Sequence, residues 1–115
     1  MAWLRLGSAN PTGGELTPLF INSEGKQVTC STLQVCNMTD RMISFKIAYL
    51  EDGAAVQAKD YLYFQEEVRP FKSFAATLGW TLNSNSAIWC SSNSSSVAFN
   101  LFGVIQNNDS EEDEI

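Results

Sequence analysis

The sequence predicts an all-β fold, a single-domain antiparallel β-sandwich that is jelly-roll-like and has about eight strands. Three observations lead to this fold class. Apolar and polar residues alternate with a period of two, as at Ile43, Phe45 and Ile47, which is the pattern of a half-buried strand. Turn residues separate such segments at short intervals, and no segment has the pattern of a long helix. The 115 residues suffice for one domain with one core.

Eight segments have the composition of strands, and turn residues bound each of them. In order, the predicted strands are residues 3–6, 17–21, 28–36, 42–50, 59–65, 71–78, 87–90 and 97–105. Pro18 has no backbone donor, so the second strand is expected at a sheet edge. The last strand is apolar on both faces except at Asn100, which indicates a central position.

The stretch from residue 28 to residue 50 is interpreted as a long hairpin whose two arms meet at a polar turn, residues 37–41. In the first arm Val28 and Cys30 share one phase of the alternation, whereas Leu33 takes the other. The phase therefore switches near residues 31 and 32, and a β-bulge there would explain the switch.

The predicted strand at residues 59–65 carries aromatic residues on both faces. Alternation places Tyr61, Tyr63 and Gln65 on one face and Leu62 and Phe64 on the other. One face should meet the core and the other a partner. Residues 54–58, just before this strand, could form one helical turn.

The net charge of −6 comes mostly from the end of the chain. Residues 109–114 contain five of the thirteen acidic side chains, which leaves eight acids against seven bases in the rest. We therefore divide the chain into a β-sandwich domain at residues 1–106 and an acidic C-terminal tail at residues 107–115. The tail is expected to be a solubilising end or to contact a basic surface on a neighbouring subunit. Without clustered Lys and Arg, nucleic acid is not an expected partner.

The first seven residues lack the basic and apolar regions of a signal peptide, and no apolar run reaches the ~20 residues of a membrane-spanning helix. We expect a protein without membrane insertion, made and folded in a cytoplasm. The three cysteines, Cys30, Cys36 and Cys90, are therefore expected to be buried free thiols. The first two lie six strand positions apart, about 20 Å, and cannot pair with each other.

Chemistry-bearing patterns are scarce. The chain has no histidine, which removes the commonest general base and metal ligand, and it has no glycine-rich phosphate-binding motif. Asp60, Glu66 and Glu67 could supply a glycosidase pair beside aromatic residues, but a solvated turn after an edge strand is the preferred interpretation. We expect no enzyme, no catalytic residue, no cofactor and no metal.

The order of short segments along the chain is similar to a known family. These segments are Trp3-Leu4-Arg5-Leu6-Gly7, Val35-Cys36-Asn37, Phe45-Lys46-Ile47-Ala48, Lys59-Asp60-Tyr61-Leu62-Tyr63, Thr77-Leu78-Gly79-Trp80-Thr81-Leu82 and Val97-Ala98-Phe99-Asn100-Leu101-Phe102-Gly103. Together they resemble small virion structural proteins of tailed bacteriophages, including cyanophages. The resemblance spans nearly the whole chain except the acidic tail.

This resemblance implies a non-enzymatic β-sandwich that assembles as a trimer on the phage particle, together with other virion proteins. The chain departs from the family at residues 19–25, where members often carry a Tyr-Thr-Val-Pro-Ala-Gly-like run, and in the acidic tail. Both departures lie at loops or ends, so they bear on the attachment site rather than on the fold.

Two functions are therefore carried forward. The first is a virion structural module of the tail, baseplate or fibre, or a decoration of the capsid. Its candidate interface residues are Tyr61, Tyr63, Phe71, Trp3 and Trp80. The second is a carbohydrate-binding module for host-surface glycans, for which aromatic residues beside polar loops are suited. For the tryptophans core packing is the default, and only exposure of Trp3 or Trp80 would argue for a contact surface.

Overall fold

The computed structural model describes residues 3–51 and 54–106. Within these ranges the chain forms eight β-strands and one short 3-10 helix at Ala58–Asp60. The strands are β1 Trp3–Ala9, β2 Thr17–Asn22, β3 Gln27–Asn37, β4 Ile43–Glu51, β5 Tyr61–Val68, β6 Ser73–Leu82, β7 Ser86–Ser92 and β8 Val97–Gln106. The predicted all-β sandwich is confirmed. The predicted acidic tail lies outside the described residues.

The eight strands form two four-stranded antiparallel sheets. Sheet A has the order β1-β8-β3-β6 and sheet B the order β2-β7-β4-β5. The paired strands are β1–β8, β2–β7, β3–β6 and β4–β5. These pairs are nested, because along the sequence each pair lies between the two strands of the pair before it. Such nesting arises when one long antiparallel ribbon rolls up into two sheets, which is the jelly-roll arrangement. The predicted edge position of Pro18 and the central position of the last strand are both confirmed.

The hairpin predicted at residues 28–50 is wrong, although both of its arms are strands. β3 pairs with β6 and β8 in sheet A, and β4 pairs with β5 and β7 in sheet B. The polar turn between them carries the chain from one sheet to the other. Period-two alternation reports only which face of a strand is buried, and it is the same for neighbours within a sheet and for strands that face each other across the core.

The core lies between the two sheets and is made of inward-facing side chains from both. Its fully buried members include Leu33, Phe45, Ile47, Ile88 and Phe99. The ring of Phe45 from sheet B meets the ring of Phe99 from sheet A edge to face, with centroids 5.8 Å apart. Burying such a side chain contributes about 1.5–3 kcal/mol, so this layer is the main source of stability.

The predicted bulge in the first arm is confirmed. The register of β3 shifts between Cys30 and Thr32 in its pairing with both neighbours, and the hydroxyl of Ser31 donates to the carbonyl of Phe102 at 3.2 Å. Gly103 lies opposite Cys30. A Cβ there would lie 2.1 Å from the carbonyl oxygen of Thr29, so the backbones at the bulge approach too closely for any side chain.

Each of the three corners at which the rolled ribbon passes between the sheets is held by an asparagine amide. At the β1–β2 corner Asn10 donates to the carbonyls of residues 95 and 97, which belong to the returning half of the ribbon. At the β2–β3 corner Asn22 donates to the carbonyls of residues 26, 82 and 83. At the β3–β4 corner Asn37 donates to those of residues 41, 68 and 69.

We call these three asparagines the corner clamps. They differ in burial, because Asn22 and Asn37 are almost fully buried whereas Asn10 is exposed. Asn37 also begins an Asn-Met-Thr sequon, and its side-chain oxygen accepts from both the amide and the hydroxyl of Thr39. The sequon residues therefore serve the turn, in which the asparagine side chain bonds the backbone two residues further on.

The three cysteines are free thiols, as expected. Cys30 and Cys90 are buried, whereas Cys36 is half-buried. Burial raises the pKa of Cys30 to about 12 and that of Cys90 to about 12, because a thiolate would lose its hydration in the core. Both thiols are therefore protonated and unreactive in the folded protein at neutral pH.

In the part of the chain that the structure describes, no helix is long and apolar enough to cross a membrane. Among the same residues, no group of three or more His, Cys, Asp or Glu side chains could hold a metal ion.

Candidate functional site

The five aromatic residues predicted as interface residues do not form one surface. Tyr63 and Trp80 lie together, with ring centroids 6.2 Å apart, where the β5 edge of sheet B meets the β6 edge of sheet A. Tyr61 lies on the outer face of sheet B, Trp3 is at the start of β1, and Phe71 is in the turn between β5 and β6.

Tyr63 and Trp80 belong to an aromatic cluster that closes one side of the sandwich. Tyr63 packs against Phe45 and Phe74 with centroid distances of 6.0 and 5.5 Å, and Phe74 meets Phe45 at 5.2 Å. All of these rings contact the core. Tyr63 and Trp80 are half-buried, and their packing stabilises the fold.

Tyr61 and Tyr63 lie on opposite faces of sheet B, so the predicted shared face is wrong. Ile47 pairs with Tyr63 and the next residue, Ala48, pairs with Tyr61, which leaves Leu62 as an extra residue in β5. This bulge interrupts the alternation between the two tyrosines.

A second bulge in β5 is centred on Phe64 and Gln65. Phe45 pairs with Glu66 and Ile47 with Tyr63, so Phe64 and Gln65 together oppose the single residue Lys46. Gln65 has the left-handed backbone that L-residues rarely adopt, with φ of 57°. As a result two consecutive side chains, which would point to opposite faces of a regular strand, both reach the outer face of sheet B.

The side chain of Lys46 is the centre of this arrangement. Its ammonium nitrogen lies 4.8 Å from the ring centre of Phe64 and 5.9 Å from that of Tyr61. The two rings meet edge to face with centroids 5.1 Å apart. Phe64 is 59% exposed, so the aromatic pair presents a ring to solvent beside a half-buried cation.

A polar cleft continues from Lys46 towards the turn between β7 and β8. We call the cleft and the aromatic pair together the β4–β5 groove. The cleft has a volume of about 150 Å³ and is lined by Gly14, Ser44, Lys46, Gln65, Ser91, Ser92 and Asn93. The adjoining hollow of about 390 Å³ is lined by Ala58, Tyr61 and Phe64.

Hydrogen bonds fix the polar walls of the groove. The hydroxyl of Ser44 donates to Oε1 of Gln65 at 3.1 Å, and its backbone amide donates to Oδ1 of Asn93 at 3.1 Å. The backbone amide of Asn93 donates to the backbone carbonyl of Ser44. Because a backbone N–H must meet an oxygen, Nδ2 of Asn93 is left as a donor towards the groove.

Two apolar surfaces lie away from the groove. The first, which we call the Phe71 tip, consists of Met38, Met42 and Phe71, which are 50%, 49% and 68% exposed. They lie on neighbouring turns, since the amide of Phe71 donates to the carbonyl of Thr39 at 3.1 Å. Phe71 has a left-handed backbone with φ of 57°, and the buried clamp of Asn37 holds this corner.

The second apolar surface, which we call the Trp3 edge, consists of Trp3 and Phe102 on the outside of sheet A. Trp3 is 71% exposed and lines a shallow hollow of about 380 Å³ with Phe102 and Thr77. Trp3 pairs with Val104, whereas the end of sheet A nearest the Phe71 tip is at Val97. Seven strand positions, about 23 Å, therefore separate the two apolar surfaces.

Of the three carboxylates considered for a glycosidase, Asp60 has a structural role. It accepts the backbone amide of Gln57 at 2.9 Å and the ammonium of Lys59 at 3.2 Å. The hydrogen bond from Gln57, followed by the pairing with Lys59, holds the pKa of Asp60 below its usual value. This contact caps the 3-10 helix at Ala58–Asp60, so the helical turn predicted at residues 54–58 is displaced towards β5.

The sequence reasoning missed Lys46, Ser44, Gln65 and Asn93 as members of one site. The aromatic residues on both faces of the fifth strand were the available signal, and they pointed to the right strand. The bulge that brings Phe64 and Gln65 to Lys46 has no such signal, because neither residue is a glycine or an asparagine.

Comparisons of the chain with protein-family models, with curated proteins and with solved structures found no match.

Proposed function

We propose that this chain is a non-enzymatic structural component of a tailed-phage virion, a small homotrimeric β-sandwich attached to the tail, baseplate or fibre, or decorating the capsid. The observation that carries the proposal is the pair of exposed apolar surfaces on a jelly roll, a fold found in viral capsid and lectin domains. The segments that resemble virion proteins support the same function. Its partners are other copies of the chain and other virion proteins.

The two apolar surfaces suit a ring of identical subunits. A closed ring uses a heterologous contact, in which one surface of a subunit meets a different surface of the next. Each subunit therefore needs two separated surfaces. The Phe71 tip and the Trp3 edge meet this need, since single exposed apolar residues are common but grouped ones mark contacts.

Sedimentation equilibrium of the purified chain tests the trimer. We expect a mass three times the 12.7 kDa of one chain. Phe71→Ser and Trp3→Ser should each give monomers, because each removes one half of the same contact. Phe64→Ser, which removes another exposed ring from the β4–β5 groove, should remain trimeric. A wild-type chain that is monomeric at all concentrations would overturn the ring.

A second candidate function is a carbohydrate-binding module for host-surface attachment. The β4–β5 groove favours it, because an aromatic pair with one exposed ring, that of Phe64, adjoins a cleft lined by hydroxyl and amide groups. Phe64→Ala is the substitution that tests this function on a glycan array, with Phe71→Ala as the control. Tyr63→Ala and Trp80→Ala would instead test stability, since both rings pack against the core.

A further inference from the structure

We infer that the β4–β5 groove takes an acidic saccharide, whose carboxylate pairs with the Lys46 ammonium while a sugar ring stacks on Phe64. This inference rests on the carbohydrate-binding function proposed above, and it names the ligand class and the residue that selects it. Three features of the groove support it.

The first feature is the charge of Lys46. Among the described residues the ion pairs are Lys26–Glu24, Arg41–Asp40 and Lys59–Asp60, so Lys46 has no carboxylate partner there. The side chain is half-buried and held between the β5 bulge and the aromatic pair. A cation that lies in a cleft without a carboxylate partner is available to an anionic ligand, and charge-assisted hydrogen bonds are the strong ones.

The second feature is the excess of hydrogen-bond donors around that cation. The side-chain oxygens of Gln65 and Asn93 are already engaged by Ser44, so their NH₂ groups are the parts left for a ligand. Within the described part of the chain, neither NH₂ group donates a hydrogen bond. Two amide donors and one ammonium suit a ligand rich in acceptors, such as a carboxylate flanked by hydroxyls.

The third feature is the composition of the walls, which distinguishes a sugar from a phosphate ligand. Phosphate sites collect several cations or an arginine fork, whereas this groove has a single lysine. The exposed ring of Phe64 adds a flat apolar surface on which the C–H face of a pyranose can lie. One ammonium group, two amide donors and one aromatic face together fit a carboxylated sugar.

A glycan array of uronic-acid and sialic-acid oligosaccharides tests the inference, if each is paired with its carboxyl-reduced neutral counterpart. We expect binding to acidic members and at least tenfold weaker binding to their neutral counterparts. Equal or preferential binding to neutral members would overturn the charge inference and leave the carbohydrate-binding function standing. Binding to no glycan would overturn both.

Variants of Lys46 give the second arm of the test. Lys46→Met keeps the length and the apolar stem of the side chain and should lower affinity for the bound acidic oligosaccharide at least tenfold, without weakening its neutral counterpart. Lys72→Met removes the same charge from the exposed β5–β6 turn and should leave affinity unchanged. An equal loss in the two variants would mean that net charge, not the groove, attracts the ligand. Matching thermal unfolding curves would verify that both variants fold.

Discussion

Replacing Asn37 by alanine should destabilise the fold more than replacing Asn10, the clamp at an exposed corner. The amide group of Asn37 donates to the carbonyls of Arg41, Val68 and Arg69 at 2.7, 3.0 and 3.0 Å. Its oxygen accepts from the amide and the hydroxyl of Thr39 at 2.9 and 2.7 Å. Alanine would remove all of these contacts at the corner that joins the β3–β4 and β5–β6 turns.

The size of the loss follows from the number of bonds and from their burial. Two N–H protons shared among three carbonyls, and two accepted bonds, amount to about four hydrogen bonds at roughly 1 kcal/mol each. We expect a loss of about 3–5 kcal/mol, a large share of the ~5–15 kcal/mol that stabilises a domain of this size.

Urea unfolding followed by tryptophan fluorescence measures this loss. Asn10→Ala removes the equivalent clamp at an exposed corner and should cost about 1 kcal/mol, and Asn100→Ala removes one exposed bond from Arg5 and should cost less than about 0.5 kcal/mol. Asn37→Asp keeps the volume but loses both donors, so it separates lost bonds from a cavity. If Asn37→Ala and Asn100→Ala had equal midpoints, the clamp would not be a source of stability.

Three further predictions concern the close backbone approach, the thiols and the aromatic cluster. Gly103→Ala should destabilise the fold by about 1–3 kcal/mol in urea unfolding. The control Gly79→Ala, whose Cβ would have no atom within 4 Å, should be neutral or stabilising by up to about 1 kcal/mol. Equal effects of the two substitutions would contradict the close backbone approach at Gly103. Folding raises the pKa values of Cys30 and Cys90, so the unfolded chain releases its thiol protons before the folded chain does as pH rises above about 9. The free energy of unfolding should therefore fall between about pH 9 and pH 12, by up to ~1.4 kcal/mol per thiol per pH unit. The double variant Cys30→Ala, Cys90→Ala should show a smaller fall in the free energy of unfolding over this pH range. A pH dependence equal to that of the wild type would refute the assignment to the thiols. Tyr63→Ala should cost about 3 kcal/mol in thermal unfolding, and a cost below about 1 kcal/mol would mean that the ring does not close the sandwich.

The alternation of side chains was enough to predict the fold class, the strand positions and one bulge. The switch of phase between Cys30 and Leu33 was visible because both residues are apolar and both point into the core. The edge position of Pro18 followed in the same way from its missing donor. Each of these features depends on neighbouring residues in the sequence.

The features that the sequence could not supply are those that depend on distant pairing. The assignment of β3 and β4 to different sheets rests on contacts with β6, β7 and β8, and no local pattern encodes it. The β4–β5 groove depends on a bulge at Phe64 and Gln65, whose residue types do not favour a left-handed backbone. Tyr61 and Tyr63 were therefore assigned to one face, although the chain places them on two.

The copy number of this chain in purified phage particles tests the proposed virion function most directly. Particles banded on a density gradient would be digested, and peptides such as the one that contains Trp80 would be counted by mass spectrometry against the major capsid protein. A virion trimer predicts a fixed copy number divisible by three, hundreds for a capsid decoration and a few dozen at most for a tail or baseplate part. Absence of the peptides from washed particles, with the chain present in the lysate, would contradict the proposal.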